Sequence, residues 1–177
     1  EAIKKNNGWG SNVIVSDETK QVLETGGGLL KARGLLESSE PFVTLNVDIL
    51  TDLNLNKLFE FHTKRQPLIS FGVTSRETSR YFLFDENDRL CGWRNTKTGD
   101  EIISVSKPSL IQKAYSCVVI FQPEVFGLIK QTGKFSLTET YLDLAKDNLI
   151  LGFDHSGDKL VDVGKPESVA IAEKLFS

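Results

Sequence analysis

The first half of this 177-residue chain alternates strand-like runs with an amphipathic helical segment, and that alternation restricts the folds open to it. Residues 42–47 and 68–73 are rich in β-branched and aromatic residues, which predicts two buried strands. Between them, residues 55–62 carry apolar side chains at helical spacing, behind a helix cap at Asp52 or Asn54. Strands that alternate with helices indicate βαβ units. We therefore expect an α/β fold with a Rossmann-like, mixed but mostly parallel sheet and flanking helices.

The middle of the chain predicts a β-hairpin insertion into this sheet. Residues 80–85 and 89–94 have strand character and flank Glu86–Asp88, which are turn-forming residues. Further strands are predicted at 12–15, 116–122 and 149–153, and further helices at 138–146, after Pro123 and after Pro166. No internal repeat or domain boundary is evident, so residues 1–177 are predicted to form one domain.

Composition argues against several classes of partner. The 21 lysines and arginines against 24 aspartates and glutamates give a net charge of −3, whereas nucleic-acid-binding domains usually show a basic patch. No run approaches the roughly 18 apolar residues of a membrane-spanning helix. Cys91 and Cys117 lack the spacing of a metal site and are interpreted as free thiols in a reducing cytoplasm. We expect a cytoplasmic protein that binds neither nucleic acid nor a membrane.

Three consecutive glycines, Gly26–Gly28, precede an apolar helical segment. Glycine lets the backbone approach a flat or phosphorylated ligand, with free amide groups at the start of a helix. Thr25 is the expected N-cap of that helix. In the first turn each glycine costs up to about 1 kcal/mol relative to alanine, and a bound ligand would offset that loss. Thr25 and the glycines are therefore predicted to bind a nucleotide, the alternative being a flexible turn.

Two carboxylates lie at predicted strand ends. Asp48 follows the strand at 42–47, and Asp162 lies beside Gly164 at a later strand end. An acid at the carboxyl end of a strand lies where open α/β sheets bind ligands, and hard metal ions prefer oxygen ligands. The alternatives are a helix cap or solvent-exposed acid for Asp48, and a loop acid near Lys165 for Asp162.

Several other residues have two interpretations. Trp93 can stack on a sugar ring or belong to the core. Arg76 and Arg80 are long enough to reach a phosphate, although arginines at a hairpin edge usually lie in solvent. His62 is predicted to be a core residue and His155 a turn residue. With these two histidines and no nucleophile elbow, no Ser-His-Asp hydrolase is expected.

Taken in order along the chain, five short motifs resemble one family. They are Leu-Glu-Thr-Gly-Gly-Gly at 23–28, Asn-Val-Asp at 46–48, Phe-Asp at 84–85 with Gly-Trp at 92–93, Gly-Lys-Phe-Ser at 133–136, and Asp-Val-Gly-Lys-Pro-Glu at 162–167. The ordered set resembles the sugar-1-phosphate nucleotidyltransferases, or NDP-sugar pyrophosphorylases. The likeness is greatest to small bacterial members such as N-acetylmuramate-1-phosphate uridylyltransferases and mannose-1-phosphate guanylyltransferase-like proteins.

The resemblance implies a nucleotide-diphospho-sugar transferase fold and an activity. Such enzymes join a sugar-1-phosphate to a nucleoside triphosphate, here UTP by subgroup likeness, and release pyrophosphate with Mg²⁺ as cofactor. It implies a role in cell-wall or polysaccharide precursor metabolism and a possible homo-oligomer. The implied roles are metal binding and catalysis for Asp48 and Asp162, base binding for Thr25 and Gly26, Gly27 and Gly28, and sugar binding for Trp93, Asn95 and Tyr115.

The chain also departs from the family pattern. The triphosphate-binding Gly-x-Gly-Thr-Arg loop of the family is absent, so the chain is interpreted as the C-terminal portion of a longer enzyme and as inactive by itself. Many relatives carry a Glu-Lys-Pro run where this chain has residues 92–95, Gly-Trp-Arg-Asn. This departure leaves the sugar contacts open.

Two other functions compete with the enzyme interpretation. The chain could be a non-catalytic nucleotide- or sugar-binding module, although a retained pair of carboxylates, Asp48 and Asp162, argues against that. A glycosyltransferase is the third alternative. Those enzymes commonly hold a metal ion through an Asp-x-Asp motif, whereas the sequence 48–50 here, Asp-Ile-Leu, supplies one acid.

Overall fold

A computed structural model of the chain describes residues 1–36 and 38–177. The strands within this part are β1 (Phe42–Leu45), β2 (Ile49–Thr51), β3 (Ile69–Thr74), β4 (Arg80–Phe84), β5 (Leu90–Asn95), β6 (Glu101–Ile103), β7 (Ile111–Phe121), β8 (Ile150–Asp154) and β9 (Leu160–Asp162). The α-helices are α1 (Ala2–Lys5), α2 (Glu24–Lys31), α3 (Arg33–Leu36), α4 (Leu55–Arg65), α5 (Val125–Leu128), α6 (Leu137–Leu144) and α7 (Pro166–Phe176). The predicted α/β class is confirmed.

The central sheet is mixed, and the long strand β7 organises it. β1 and β3 both pair with Val119–Phe121 of β7 in antiparallel register, so they lie on its two edges and run in the same direction. β8 pairs with β3 in parallel. Among the described strands β3–β8 is the one parallel ladder, so the expectation of mostly parallel pairing is corrected. The reason is that β7 runs opposite to the strands between which it lies.

The predicted hairpin insertion is confirmed. β4 pairs antiparallel with β5 and also with the first residues of β7, so the hairpin extends the central sheet rather than standing apart from it. β6 continues the sheet beyond β5. At the tip, the carboxylate of Asp85 accepts hydrogen bonds from the backbone N–H groups of Asn87 and Arg89 at 2.9 and 3.0 Å.

A second, two-stranded sheet stands beside the first. In it β2 and β9 pair antiparallel over three residue pairs, Ile49–Asp162, Leu50–Val161 and Thr51–Leu160. Isolated two-stranded sheets are marginally stable in water. The position of this small sheet must therefore depend on its attachments to the central sheet.

Helix α4 illustrates how local sequence defines an element. Its N-cap is Asn54, whose side chain accepts a hydrogen bond from the backbone N–H of Lys57 at 3.2 Å. Its last turn ends at Gln66 in the left-handed conformation. Of the two caps predicted, Asn54 is therefore used. The carboxylate of Asp52 instead accepts the backbone N–H of Lys159 at 2.7 Å.

The main core lies on the face of the central sheet that α6 covers. Tyr141 of α6 is fully buried, and its ring contacts those of Phe71 and Phe82. A smaller apolar cluster of Leu53, Leu58, Val118 and Ile120 lies beneath α4. Through these two clusters, β3 and β7 are packed between helices. Their burial agrees with the apolar runs that predicted buried strands there.

The N-terminal segment differs from the sequence-based expectation. Residues 12–15, predicted to be a strand, have no regular structure, and Val13, Ile14 and Val15 are exposed.

The helix predicted after Pro123 is short. Helix α5 has one turn and begins at Val125, two residues after Pro123. Within the described residues, no helix has both the length and the apolar character that crossing a membrane requires.

Candidate functional site

The small sheet brings Asp48 and Asp162 together from distant parts of the sequence. Asp48 immediately precedes β2, and its carbonyl accepts the backbone N–H of Val163 at 2.8 Å. Asp162 ends β9 opposite Ile49, and its carboxylate accepts the backbone N–H of Gly164 at 2.9 Å. The pairing of β2 with β9 thus places both carboxylates at one end of the small sheet.

Gly164 shows that the two carboxylates point into a shared space. A Cβ atom built on this glycine would lie 3.1 Å from Oδ1 of Asp162 and 3.1 Å from Oδ2 of Asp48. Only a residue without a side chain leaves this gap open. Asn54 caps α4 and Asp48 does not, so the helix-cap alternative for Asp48 is excluded.

Two carboxylates with open space between them suit Mg²⁺. This ion is usually bound through one or two carboxylates and completes its octahedral shell with water and substrate phosphates. Among the described residues, no group of three or more histidine, cysteine, aspartate or glutamate side chains forms a closed metal cage. Two carboxylates would suit an ion that takes its other ligands from water and phosphate, and metal binding by Asp48 and Asp162 remains a prediction.

Cys117 and Arg76 belong to the surroundings of this acidic pair. Burial raises the pKa of the Cys117 thiol to about 11, the Arg76 charge lowers it, and Asp48 and Asp162 raise it further. Arg76 is exposed and donates from Nη2 to the carbonyl of Tyr115 at 3.0 Å. The Arg76 guanidinium and the two carboxylates therefore all act on the Cys117 thiol. From the sequence, Arg76 either reaches a phosphate or lies in solvent at a hairpin edge, and no local pattern decides between these two interpretations.

Cys117 also has an unusual backbone. It lies inside β7 with φ at +58°, a left-handed conformation that non-glycine residues seldom adopt. Its carbonyl accepts the backbone N–H of Asn46 at 3.3 Å, on the loop that leads to Asp48. The unusual backbone position in β7 is thus hydrogen-bonded to the segment that carries Asp48.

The three glycines have a role that the sequence did not reveal. The N–H groups of Gly26 and Gly27 both donate to the carbonyl of Phe135, at 2.9 and 3.4 Å. A Cβ on Gly26 would lie 2.3 Å from the Phe135 ring, and one on Gly27 would lie 2.1 Å from the carbonyl oxygen of Gly133. The expectation of free amides at these two positions is therefore wrong, because residues 133–135 occupy that space.

Gly28 and Thr25 also contact other parts of the chain. A Cβ on Gly28 would lie 2.8 Å from Oε1 of Glu18. Helix α2 begins at Glu24 with Leu23 as N-cap, so Thr25 is not the cap that the sequence predicted. Its hydroxyl accepts the backbone N–H of Leu137 at 3.1 Å, at the start of α6. Nucleotide binding by these residues remains a prediction.

Trp93 lies in a groove on the side of the sheet where α6 packs. The groove has a volume of about 260 Å³, and its lining includes Arg80, Trp93, Ser136 and Glu139. Trp93 is half-buried and packs against the core, which confirms the core interpretation, whereas stacking on a sugar ring remains a prediction. Because residues 133–135 contact the glycines and Ser136 lines this groove, the structure brings Trp93 and Gly26–Gly28 to neighbouring positions.

Asn95 and Tyr115 make internal contacts instead of facing open space. The Asn95 side chain accepts the backbone N–H of Lys97 at 3.0 Å and closes the turn after β5. The Tyr115 hydroxyl bonds that of Tyr141 at 3.2 Å, and burial raises its pKa well above the usual value. The packing therefore supports a structural role for both, and sugar binding by either remains a prediction.

The structure places a serine, a histidine and an aspartate in a row. The Oγ of Ser116 lies 2.7 Å from Nε2 of His155, and Nδ1 of His155 lies 3.4 Å from Oδ2 of Asp158. Ser116 has no exposed surface, so it cannot attack a substrate. His155 is the first residue of the turn predicted there, because its carbonyl accepts the backbone N–H of Asp158 at 3.0 Å, and it is also buried, which the sequence did not predict.

Comparison with known proteins shows which chains this one is similar to. Over 171 residues it is 29% identical to the mannose-1-phosphate guanylyltransferase catalytic subunit beta of Drosophila melanogaster, covering 94% of this chain and 43% of that protein. Over 107 residues it is 33% identical to the mannose-1-phosphate guanylyltransferase regulatory subunit alpha of Homo sapiens, covering 58% of this chain and 24% of that protein. No protein-family model matches the chain.

A solved structure shows the same fold. The inositol-1-phosphate CTP transferase from T. maritima superposes with a TM-score of 0.70 at 18% identity, covering 94% of this chain and 66% of that one. The nucleotide-diphospho-sugar transferase fold is thereby confirmed, as is the resemblance on which it was predicted. The chain spans less than half the length of the two guanylyltransferase subunits that it matches.

Proposed function

Because this chain is a relative of the sugar-1-phosphate nucleotidyltransferases, we propose that the whole protein transfers a nucleotidyl group from a nucleoside triphosphate to a sugar-1-phosphate. The products are an NDP-sugar and pyrophosphate. NDP-sugars donate sugars to polysaccharides, so the proposal includes a role in polysaccharide or cell-wall precursor synthesis.

The convergence of Asp48 and Asp162 is the observation that carries the proposal. Their carboxylates face the gap at Gly164 with few competing partners, since Asp162 accepts one backbone hydrogen bond there. Carboxylates that share a gap repel each other unless a cation lies between them. We propose that this cation is Mg²⁺, held by one oxygen of each aspartate.

The reaction is an in-line displacement at phosphorus. A phosphate oxygen of the sugar-1-phosphate attacks the α-phosphorus, and the bond from that phosphorus to the bridging oxygen of pyrophosphate breaks. Bound Mg²⁺ would neutralise charge on the phosphate oxygens. Asp48 and Asp162 would hold the substrate phosphates through the ion, and the guanidinium of Arg76 would attract the same phosphates.

The nucleotide is inferred from the motifs and from the relatives together. The motifs point to UTP by subgroup likeness, whereas the relatives named above are guanylyltransferases. We therefore propose GTP as the first nucleotide and UTP as the alternative. For the sugar, the half-buried face of Trp93 in its groove is the proposed stacking surface.

The direct experiment measures pyrophosphate release with Mg²⁺, using GTP, UTP, CTP or dTTP and a panel of sugar-1-phosphates that includes mannose-1-phosphate. It compares the 177-residue chain with a longer protein that contains it. We expect release by the longer protein with one nucleotide. Absence of release with every pair would contradict the proposal.

Variants of Asp48 and Asp162, with a matched control, test whether the two carboxylates form the proposed metal site. Asp48→Asn and Asp162→Asn keep the side-chain shape and remove the charge, and each is expected to lower turnover by at least tenfold to a hundredfold. Asp147→Asn is the control, because this exposed acid follows α6 and lies on none of the elements that form the acidic pair. Equal turnover in the Asp48 variant and the control would exclude Asp48 from the metal site.

The similarity to a regulatory subunit favours a second candidate, a non-catalytic nucleotide- or sugar-binding module. Such a module binds GTP or a GDP-sugar without releasing pyrophosphate. Isothermal titration of the longer protein distinguishes the two candidates. Binding without turnover supports the module, and turnover with any nucleotide supports the enzyme.

A further inference from the structure

A buried histidine connects the central sheet to the chain segment that leads into the small sheet. His155 follows β8, and its backbone N–H donates to the carbonyl of Val73 on β3 at 3.0 Å. Its Nε2 bonds Ser116 Oγ on β7 at 2.7 Å. Gly72 leaves room for the ring, since a Cβ there would lie 3.3 Å from Nε2. Two strands of the central sheet therefore hold this imidazole.

From His155 the chain turns directly into β9. The backbone N–H of Asp158 donates to the carbonyl of His155 at 3.0 Å. The Asp158 carboxylate lies 3.4 Å from Nδ1, too far for a good hydrogen bond but close enough for electrostatic attraction. A neutral imidazole with its proton on Nδ1 suits both neighbours, because Nε2 then accepts from the Ser116 hydroxyl. The turn between β8 and β9 thus begins at His155 and is held by the His155 carbonyl, while the Asp158 carboxylate faces a buried Nδ1 that has no hydrogen-bond partner among the described residues.

Lys159, which follows this turn and precedes β9, joins the two strands of the small sheet by hydrogen bonds. The backbone N–H of Lys159 donates to the Asp52 carboxylate at 2.7 Å, and the Lys159 carbonyl accepts the Thr51 hydroxyl at 2.8 Å. Three residue pairs further along, the same two strands end at Asp162 and next to Asp48. A shift of the turn would therefore move the far end of a sheet that is too short to hold its own position.

We propose that Ser116, His155 and Asp158 form a positioning network that fixes the small sheet, and with it the Asp48–Asp162 pair, against the central sheet. The network acts through the backbone of residues 158–162 and touches no substrate. Its consequence for metal binding rests on the proposed function, whereas its effect on the position of β9 does not.

The chain supplies a matched control in its second histidine. His62 is also fully buried and bonds a serine, with Nδ1 at 2.9 Å from Ser70 Oγ, and its Nε2 lies 3.1 Å from the Gln122 side chain. None of these described partners lies on β2 or β9. Replacing either histidine removes a buried imidazole and one serine contact, but only the change at His155 reaches the small sheet.

The first experiment measures amide hydrogen exchange on the metal-free 177-residue chain by mass spectrometry. In His155→Asn we expect amides of residues 160–164 to exchange about tenfold faster than in the wild type, relative to β4 and β5 in the same sample. In His62→Asn this ratio stays unchanged. Equal effects of the two variants, or no effect on residues 160–164, would overturn the proposal.

Two further variants keep the test decisive if His155→Asn does not fold. Ser116→Ala removes only the hydroxyl that bonds Nε2, and it should accelerate exchange at 160–164 by a smaller factor in the same direction. His155→Gln retains an amide at the end of a side chain of similar reach, and it should restore part of the protection. Acceleration in neither the Ser116 variant nor a folded His155 variant contradicts the network.

The second experiment measures Mn²⁺ affinity by electron paramagnetic resonance, with Mn²⁺ as a probe of the proposed Mg²⁺ site. We expect the dissociation constant to rise about tenfold in His155→Asn and to stay unchanged in His62→Asn. Unchanged affinity in both variants would overturn positioning of the acidic pair. Absence of Mn²⁺ binding in the wild type would instead contradict the proposed metal site, while the exchange result still decides the position of β9.

Discussion

At the scale of single residues, Gly164 is the position where a small change has the clearest expected effect on the site. Its missing side chain leaves the gap that the carboxylates of Asp48 and Asp162 face. The residue is exposed and its backbone is one that alanine can adopt, so its substitution should have little effect on folding. The effect of a methyl group there is therefore confined to the acidic pair.

We predict that Gly164→Ala lowers Mn²⁺ affinity by about tenfold and changes the free energy of unfolding by less than about 0.5 kcal/mol. The methyl carbon would lie 3.1 Å from an oxygen of each carboxylate, so at least one carboxylate must turn away. Titration with Mn²⁺ and urea denaturation measure the two quantities. A variant that binds Mn²⁺ as the wild type does would show that the carboxylates do not share an ion at this gap.

Tyr115 allows a test of its predicted sugar contact. We predict that Tyr115→Phe lowers the free energy of unfolding by about 1 kcal/mol, because the hydroxyl of buried Tyr141 loses its partner. The same change should leave the KM for the sugar-1-phosphate unchanged in the longer protein. A raised KM for the sugar-1-phosphate at unchanged stability would support a direct contact between Tyr115 and the sugar.

His62 gives the molecule a defined pH dependence of stability. Burial lowers the pKa of His62 from 6.5 to about 4, so the folded state keeps this ring neutral where the unfolded chain takes up a proton. The unfolded state therefore binds more protons between about pH 6.5 and 4. Stability is complete above pH 6.5 and falls as the pH drops, by at most roughly 3 kcal/mol from this group. Urea denaturation at several pH values from 7 to 4 gives the free energy of unfolding at each pH. Its decrease with falling pH should be smaller in His62→Gln than in the wild type.

At the scale of elements, the contact between α2 and residues 133–135 explains Gly26 and Gly27 better than local propensity does. We predict that Gly27→Ala lowers the free energy of unfolding by more than 2 kcal/mol, because its Cβ would lie 2.1 Å from the Gly133 carbonyl oxygen. Gly34→Ala is the control. A Cβ on Gly34, in helix α3, meets no atom within 4 Å, so alanine should stabilise the helix by up to about 1 kcal/mol.

Thermal denaturation of the two glycine variants tests this contact. Opposite shifts of the midpoint support packing against residues 133–135 as the reason for Gly27. If both variants are as stable as the wild type, the glycines are not required for folding. Their place in the sequence would then favour a ligand contact, as the motif alone predicts.

At the scale of the whole molecule, β1 is the vulnerable part of the fold. One of its edges pairs with β7, and no other strand of the described residues pairs with it. Val43 and Leu45 are exposed on this strand, and Val47 just beyond it is 98% exposed. An unpaired edge beside exposed apolar side chains favours pairing with another chain.

We predict that the 177-residue chain self-associates as its concentration rises, and that Val43→Lys with Leu45→Lys weakens this association. Sedimentation velocity over a hundredfold range of concentration measures it. The control is a double lysine variant at Val169 and Ile171, which are exposed on helix α7 and not on a strand edge. A monodisperse wild-type monomer throughout the range would contradict the prediction.

The sequence by itself determined several of the elements and the residue types of the predicted site. Apolar periodicity placed α4, β3 and the β4–β5 hairpin, because these features depend on neighbouring residues. Local patterns also identified Asp162 at a strand end, whereas Asp48, predicted to end a strand, lies three residues beyond β1 and directly before β2. The ordered motifs then indicated the fold, which the comparisons confirm.

Only the tertiary structure decided which residues meet. The antiparallel course of β7 between β1 and β3, the pairing of β2 with β9, and the burial of His155 against Ser116 all join segments far apart in sequence. Gly26 and Gly27 show the same limit, since their partner at residues 133–135 is more than a hundred residues away. Local patterns report helix and strand propensity, but the partners that occupy a backbone amide or a gap are set by packing between distant segments.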